Sequence, residues 1–73
     1  MTKLGLYLAQ RSVNKAEAGR KAGLTKARMN DLTQNERSHL RAKELYLIAI
    51  AIGVNPCELL EVLYNDVELP KEE

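Results

Sequence analysis

The sequence predicts a compact all-α domain of five helices, and three observations lead to this prediction. Hydrophobic residues make up 45% of the 73 residues, but Phe and Trp are absent, so the core must be built from aliphatic side chains and Tyr. Apolar residues recur at the three- and four-residue spacing of helices, and little in the pattern favours strands. Polar capping residues precede several of these stretches. A chain of this length forms one small domain.

The first helix is expected from Lys3 to about Arg11. Leu4, Tyr7 and Leu8 recur at helical spacing and would form its inward face. This helix is therefore expected to pack across the two helices that follow it.

A sharp turn is predicted between the second and third helices. Asn14 opens the second helix as a cap, and Glu17 is placed to complete a capping box. Gly23 ends it because Gly adopts the left-handed backbone of a tight exit, and Thr25 caps a third helix that begins at Lys26. The expected inward residues are small before the turn and bulky after it: Ala16, Gly19, Ala22, Leu24, Met29 and Leu32.

The fourth helix is expected from about Arg41 to Ile52 and ends at Gly53. Its apolar character extends nearly around the helix, which in so small a domain favours burial by a second copy of the chain. The alternative is that the first and fifth helices cover it. The expected core face consists of Ala42, Leu45, Ala49 and Ile52.

Asn55 and Pro56 mark the start of the fifth helix, with Glu58 closing a capping box. Cys57, in its first turn, is expected to be a small buried residue. The apolar side of this helix is expected to comprise Leu59, Leu60, Leu63 and Val67. We expect a domain over residues 1–67 and an acidic tail over residues 68–73.

Charge is distributed unevenly along the chain although the net charge is only +1. Residues 1–43 hold ten of the eleven Lys and Arg and three acids, a local charge of +7, whereas residues 44–73 hold one Lys and seven acids, a local charge of −6. A basic half can attract a phosphate backbone while the acidic half faces away or meets a partner.

Several classes of protein are disfavoured by the sequence. One Cys and one His cannot form a disulfide or a zinc site, and no paired carboxylates or nucleophilic motif indicate an enzyme, so no metal, cofactor or catalytic residue is predicted. The N-terminus lacks the pattern of a signal peptide, a basic start followed by an apolar run. The apolar run of residues 45–52 is far shorter than the roughly 20 residues that span a bilayer. We expect a cytoplasmic protein.

The turn carries a specific pattern: Gly23, then Leu24, with Met29 and Leu32 five and eight residues further on. This pattern resembles the helix-turn-helix of the phage-repressor family (Cro/C1-type, or XRE), whose domains have a lambda-repressor-like fold, and the resemblance extends over residues 4–63. It implies that the third helix lies in the major groove of double-stranded DNA. The family's usual Arg–Glu ion pair would fall on Leu8 and Thr33, so that pair is expected to be absent.

The resemblance also implies which residues contact DNA. Asp31 has an alternative role, which is to hold Arg28 or Lys26 in position. Asn35 is expected to adopt the left-handed conformation at the exit of the third helix. The candidate base-reading residues are Lys26, Ala27, Arg28, Asn30, Asp31 and Gln34. The candidate phosphate contacts are Lys15, Thr25, Asn35, Arg37, Ser38, His39 and Arg41.

Cations without a carboxylate in the first turn of the third helix oppose the helix dipole, so an anion such as DNA phosphate is expected to compensate them. The sequence therefore favours a DNA-binding transcriptional regulator, a repressor-like homodimer. One alternative is an interaction module that binds a partner protein through its C-terminal helices, as an antitoxin does. The other is an ordinary helical hairpin with no DNA partner.

Overall fold

The computed structural model describes residues 1–71, and these residues form five helices in the predicted order. Glu72 and Glu73, at the end of the predicted acidic tail, lie outside the described residues. The helices are α1 (Lys3–Gln10), α2 (Lys15–Lys21), α3 (Lys26–Gln34), α4 (Ala42–Ile52) and α5 (Pro56–Tyr64). No single helix among residues 1–71 is long and apolar enough to cross a membrane; α4 and α5 reach that threshold only jointly, across a 119° bend.

Side-chain caps fix the starts of four helices, three of them as predicted. The Glu17 amide donates to Asn14 Oδ1 (3.0 Å), the Arg28 amide to Thr25 Oγ1 (3.1 Å), and the Cys57 amide to Asn55 Oδ1 (2.8 Å). Neither predicted capping box forms among residues 1–71. The Glu17 carboxylate accepts from the guanidinium of Arg20 instead, and Asn55 accepts from the Cys57 amide rather than pairing with Glu58. The fourth cap, on α1, is Thr2, whose Oγ1 accepts from the Gly5 amide at 3.1 Å.

The core is aliphatic, as predicted, and every helix contributes to it. Helix α1 packs on α3, α2 packs on both α3 and α4, and α4 packs on α5. Met29, Ile48 and Leu59 are among its fully enclosed side chains. The buried apolar residues are Leu4, Leu8, Ala18, Ala22, Met29, Leu32, Leu45, Ile48, Ala49, Leu59 and Leu63.

Helix α1 approaches the end of α3 so closely that backbone atoms touch. The Thr2 amide donates to the carbonyl of Thr33 (2.9 Å), and the Thr2 hydroxyl donates to the carbonyl of Leu32 (2.7 Å). A Cβ at Gly5 would lie only 2.3 Å from the Thr33 carbonyl oxygen. Thr33 and Leu8, the two positions where the family ion pair was expected to be missing, are both buried, so backbone hydrogen bonds and packing join these helices.

Several predicted core positions are wrong, and helical geometry explains each error. Ala16 is exposed, because it lies about 200° around α2 from the buried Ala18. Cys57 is likewise exposed on the side of α5 opposite Leu59. Ala42 is exposed because it is the first residue of α4, at the edge of the core.

The burial of three apolar residues on or after α4 and α5 also differs from the prediction. Ile48 is fully buried, whereas Leu60 is 49% exposed, since it projects about 100° away from Leu59. Val67 lies beyond the end of α5 and is 67% exposed, so it does not extend the apolar side of that helix.

The turns depend on three residues with positive φ. Gly23 (φ 78°) and Gly53 (φ 76°) end α2 and α4 as predicted, and Ser12 (φ 56°) adopts the same region between α1 and α2. The prediction for Asn35 is wrong, because its backbone is extended (φ −95°, ψ 109°). Its side chain explains the difference: Nδ2 donates to Asp31 Oδ1 (2.9 Å) and Oδ1 accepts from the Arg37 amide (3.0 Å).

Substituting Gly5 with Ala is expected to destabilise the domain, although Gly to Ala within a helix ordinarily stabilises. The new Cβ would meet a backbone oxygen that cannot rotate away, so we expect a loss of about 2 kcal/mol or more in urea unfolding. Gly19→Ala is the comparison variant, since its Cβ would meet side-chain rather than backbone atoms, Met29 Cγ at 2.9 Å and Cβ at 3.0 Å, so a smaller loss is expected. A loss for Gly5→Ala no larger than that for Gly19→Ala would refute the role of the close crossing.

Candidate nucleic-acid interface

The outward face of α3 carries four of the six candidate base-reading residues. Lys26, Asn30 and Gln34 follow one another at four-residue intervals, so they share one side of the helix, and Ala27 is adjacent to them. All four are exposed. This side is therefore a polar strip that solvent or a ligand can reach.

The other two candidates, Arg28 and Asp31, belong to an ion-pair cluster on a different side of α3. The guanidinium of Arg28 donates through Nε to Glu44 Oε2 (2.7 Å) and through Nη2 to Glu44 Oε1 (2.9 Å). Nη1 donates to Asp31 Oδ2 at 3.1 Å, which confirms the predicted contact between Asp31 and Arg28. Both side chains are partly buried, so neither is presented as openly as the exposed strip.

Glu44 is a central residue of this cluster that sequence analysis did not identify. It is 8% exposed, and besides the two bonds from Arg28 it accepts from the Arg41 amide at the start of α4 (2.9 Å). Hydrogen bonds from Arg28 hold the pKa of Glu44 at about 2, below its ordinary 4.5, although burial opposes this shift. One feature of the sequence could have indicated Glu44: it is a single carboxylate in the first turn of a largely apolar helix, three residues after Arg41.

The segment between α3 and α4, residues 35–41, is held beside α3 by the same cluster. Arg28 Nη2 also donates to the carbonyl oxygen of His39 (2.8 Å). Near the start of the segment, the Ser38 hydroxyl donates to the Asn35 carbonyl (2.7 Å). Four candidate phosphate contacts in the segment are exposed, while Ser38 is half-buried. The exposed four are Asn35, Arg37, His39 and Arg41.

The start of α2 borders the other side of the exposed strip. Lys15, the first residue of α2, donates from Nζ to Asn30 Oδ1 at 3.1 Å. Thr25 caps α3 and is exposed beside Lys26. The structure thus brings the beginning of α2, the outward side of α3 and, through Arg28, the 35–41 segment into one region.

The charges of this region are compensated unequally. Arg28 lies between two carboxylates, which raises its pKa above the ordinary value, chiefly through the hydrogen bonds to Glu44. No ion pair among residues 1–71 involves Lys15, Lys26, Arg37 or Arg41. The anion expected near the first turn of α3 is therefore, for Arg28, a carboxylate of the protein itself. The charges of Lys15, Lys26, Arg37 and Arg41 are not compensated by an ion pair within the described residues.

A comparison with protein-family models bears directly on this arrangement. The model of the Cro/C1-type HTH DNA-binding domain matches residues 3–63. The chain belongs to this family. The match spans all of the helices α1 to α4 and nearly all of α5. Helices α2 and α3, with the turn at Gly23 between them, are the pair for which the sequence predicted the helix-turn-helix. No curated protein and no solved structure matches the chain significantly.

Membership of the Cro/C1-type family makes this chain a DNA-binding domain of the helix-turn-helix class. It also confirms the resemblance and the all-α fold that the sequence indicated.

Neutralising Glu44 is expected to make the domain less stable in a pH-dependent way. Because the folded pKa is depressed, the contribution of Glu44 is present above about pH 4.5 and disappears as the pH falls towards 2. Since the Arg28 side chain of the pair is 29% exposed, Glu44→Gln should cost about 1–2 kcal/mol at pH 7, measured by urea unfolding.

The matched control is Glu17→Gln, which breaks the exposed pair with Arg20 and should change stability little. The difference between the wild type and Glu44→Gln should shrink between pH 4.5 and 2. A difference that stays constant over this range would contradict the assignment of the low pKa to Glu44.

Proposed function

We propose that the domain regulates transcription by binding a specific double-stranded DNA sequence, with α3 in the major groove, and that it acts as a repressor. The observation that carries this proposal is the exposed strip of Lys26, Asn30 and Gln34 on the second helix of a Cro/C1-type helix-turn-helix. Donors and acceptors at four-residue spacing match the way in which a recognition helix reads base edges. The proposed location is the cytoplasm, and no catalytic role is proposed.

Each residue of the strip has a chemistry suited to a base edge. Lys26 can donate to N7 and O6 of guanine, and Gln34 can pair with adenine. Ala27 can contact the methyl group of thymine. The side-chain oxygen of Asn30 already accepts a hydrogen bond from Lys15. Its side-chain NH₂ group can therefore donate to a base acceptor such as N7 of guanine or adenine.

Arg28 and Asp31 take a supporting role in this proposal. Both oxygens of Asp31 are occupied, one by Arg28 and one by Asn35, and Arg28 donates to Glu44 through two nitrogens. Releasing either residue to read a base would break charged hydrogen bonds. We therefore assign them to holding α3 against α4 and the 35–41 segment.

The phosphate backbone is proposed to lie along both borders of the strip. Lys15 and Thr25 would contact it from the α2 side, and the 35–41 segment from the other side. Positive charge, a hydroxyl and amide groups are the usual chemistry of such contacts. The proposed contacts of the segment are Asn35, Arg37, Ser38, His39 and Arg41.

We also propose that two copies bind together on a two-fold-related site. Exposed apolar side chains on α4 and α5 support this: Tyr46 and Ile50 are each 54% exposed, Leu60 is 49% exposed, and Tyr64 is 43% exposed. Within each helix the two residues lie four apart and share a side. A dimer would bring two copies of α3 about 34 Å apart, one turn of DNA.

The same apolar side chains support a second candidate function, an interaction module whose α4 and α5 bind another protein. The acidic character of residues 44–73 favours a basic partner surface in that case. The two candidates differ in whether the isolated protein dimerises and selects a DNA sequence.

Selection from a randomised pool of duplex DNA at moderate salt tests the proposal. We expect enrichment of an inverted repeat. Lys26→Ala should then weaken binding to the selected duplex by about 1–3 kcal/mol and relax its specificity, whereas Arg41→Ala should weaken selected and random duplexes alike and reduce the salt slope by about 0.9. These affinities are measured by fluorescence anisotropy.

Ala42→Ser is a suitable control, since Ala42 is exposed beside Arg41 and carries no proposed contact. Equal losses on both duplexes for Lys26→Ala and Arg41→Ala would contradict the division between base and phosphate contacts. Retention of DNA without any enriched sequence would refute specific recognition.

A charge on the exposed side of α4 should dissociate the dimer. Ile50→Glu would place a carboxylate in an apolar contact, and we expect a monomer in sedimentation velocity at concentrations where the wild type is dimeric. Leu6→Glu is the matched control, because Leu6 is a similarly exposed apolar residue (50%) on α1. A wild type that is monomeric throughout would refute the homodimer and favour the partner-protein alternative.

A further inference from the structure

We infer that the cleft between α2 and α3 binds a small organic anion with an apolar body, and that such a ligand releases the domain from DNA. The cleft has a volume of about 320 Å³, at the lower end of the range for small-molecule sites. Its floor consists of Gly19, Leu24 and Met29. Its rim carries Lys15, Arg20 and Lys26.

The apolar surface that a ligand can reach in the cleft comes from Leu24 and Ala16, above a floor closed by Met29 and Gly19. Met29 is 2% exposed and packs against Gly19, where a Cβ would lie 2.9 Å from Met29 Cγ. Leu24 is half-buried beside them. Ala16 also lines the cleft, and because its side chain is only a methyl group, the entrance on the α2 side stays open. An apolar group of a ligand can therefore lose its water here.

The rim selects for negative charge. Among residues 1–71, its lining includes three cations and no carboxylate. Arg20 is paired with Glu17. Within residues 1–71, Lys15 donates only to the neutral Asn30 and Lys26 has no ion pair. An anion at this rim gains charge complementarity, while the apolar floor disfavours a strongly hydrated ion such as free phosphate. The matching class is an aromatic or branched aliphatic carboxylate.

Such a ligand would occupy the surface that the proposed function assigns to DNA. Lys15, Lys26 and Asn30 line the cleft and are also proposed DNA contacts. Binding of the carboxylate and binding of DNA therefore exclude each other, and each lowers the affinity for the other by the same factor. This coupling rests on the proposed function, whereas the binding of the anion itself does not.

The binding is tested first without DNA, using 1-naphthoate and its uncharged analogue 1-naphthalenemethanol with the full chain. We expect saturable NMR shifts of the Met29 ε-methyl and the Leu24 δ-methyls with 1-naphthoate, and no shift of the Met1 ε-methyl. The uncharged alcohol should bind about fivefold more weakly, since it cannot use the cations. Equal affinity for both compounds would overturn the selection for an anion.

Filling the entrance provides the variant test. Ala16→Leu should weaken 1-naphthoate at least about tenfold, because its side chain takes the volume of the ligand. Ala9→Leu is the matched control, an exposed helical Ala on α1, and should leave the affinity unchanged. Undiminished binding by Ala16→Leu, or no saturable shift up to about 10 mM, would overturn the site.

The coupling is tested by adding the selected duplex. Its presence should raise the apparent dissociation constant of 1-naphthoate linearly with the free DNA concentration, from the value measured without DNA. Simultaneous binding of both with unchanged affinities would overturn the coupling. If the chain selected no DNA sequence, the measurements without DNA would still decide whether the cleft binds the anion.

Discussion

The ion pair between Arg28 and Glu44 is the interaction on which the arrangement of the nucleic-acid interface depends. Without Glu44, the guanidinium of Arg28 would have no partner from α4. The segment of residues 35–41 would then lose the hydrogen bond from the Arg41 amide to Glu44, one of the contacts that hold it beside α3. The pair joins three parts of the chain: the recognition helix, the following segment and the start of α4. Partial burial strengthens it relative to a surface pair, because water screens it less.

This pair also connects the two oppositely charged parts of the sequence. Arg28 belongs to the basic residues 1–43 and Glu44 is the first acid of the acidic part. Lys3 and Asp66 form a second connection, at 2.6 Å between Nζ and Oδ1, which lowers the pKa of Asp66. Both pairs involve cations outside the exposed strip. The charge asymmetry thus contributes to the fold while leaving Lys26, the cation of the strip, available for an external anion.

The sequence predicted the helices well because caps and turns are local. Asn14, Thr25 and Asn55 each act within three residues, and a single Gly residue determines a helix exit. Which side of a helix is buried depends on neighbours distant in sequence, so Ala16 and Cys57 were placed wrongly. The partner of Arg28 lies sixteen residues away across a linking segment, and no local pattern in the sequence identifies Glu44 as that partner.

The first turn of α3 shows how fold and proposed function share one helix. Cations near a helix N-terminus oppose the dipole, and α3 has no acid in its first turn to offset them. In the fold, the positive charge of Arg28 is compensated by Glu44, and the resulting ion pair is a contact between α3 and α4. Lys26 receives no such partner within the described residues. Its charge is therefore better explained by an external anion than by folding, and both DNA and the proposed carboxylate would supply one.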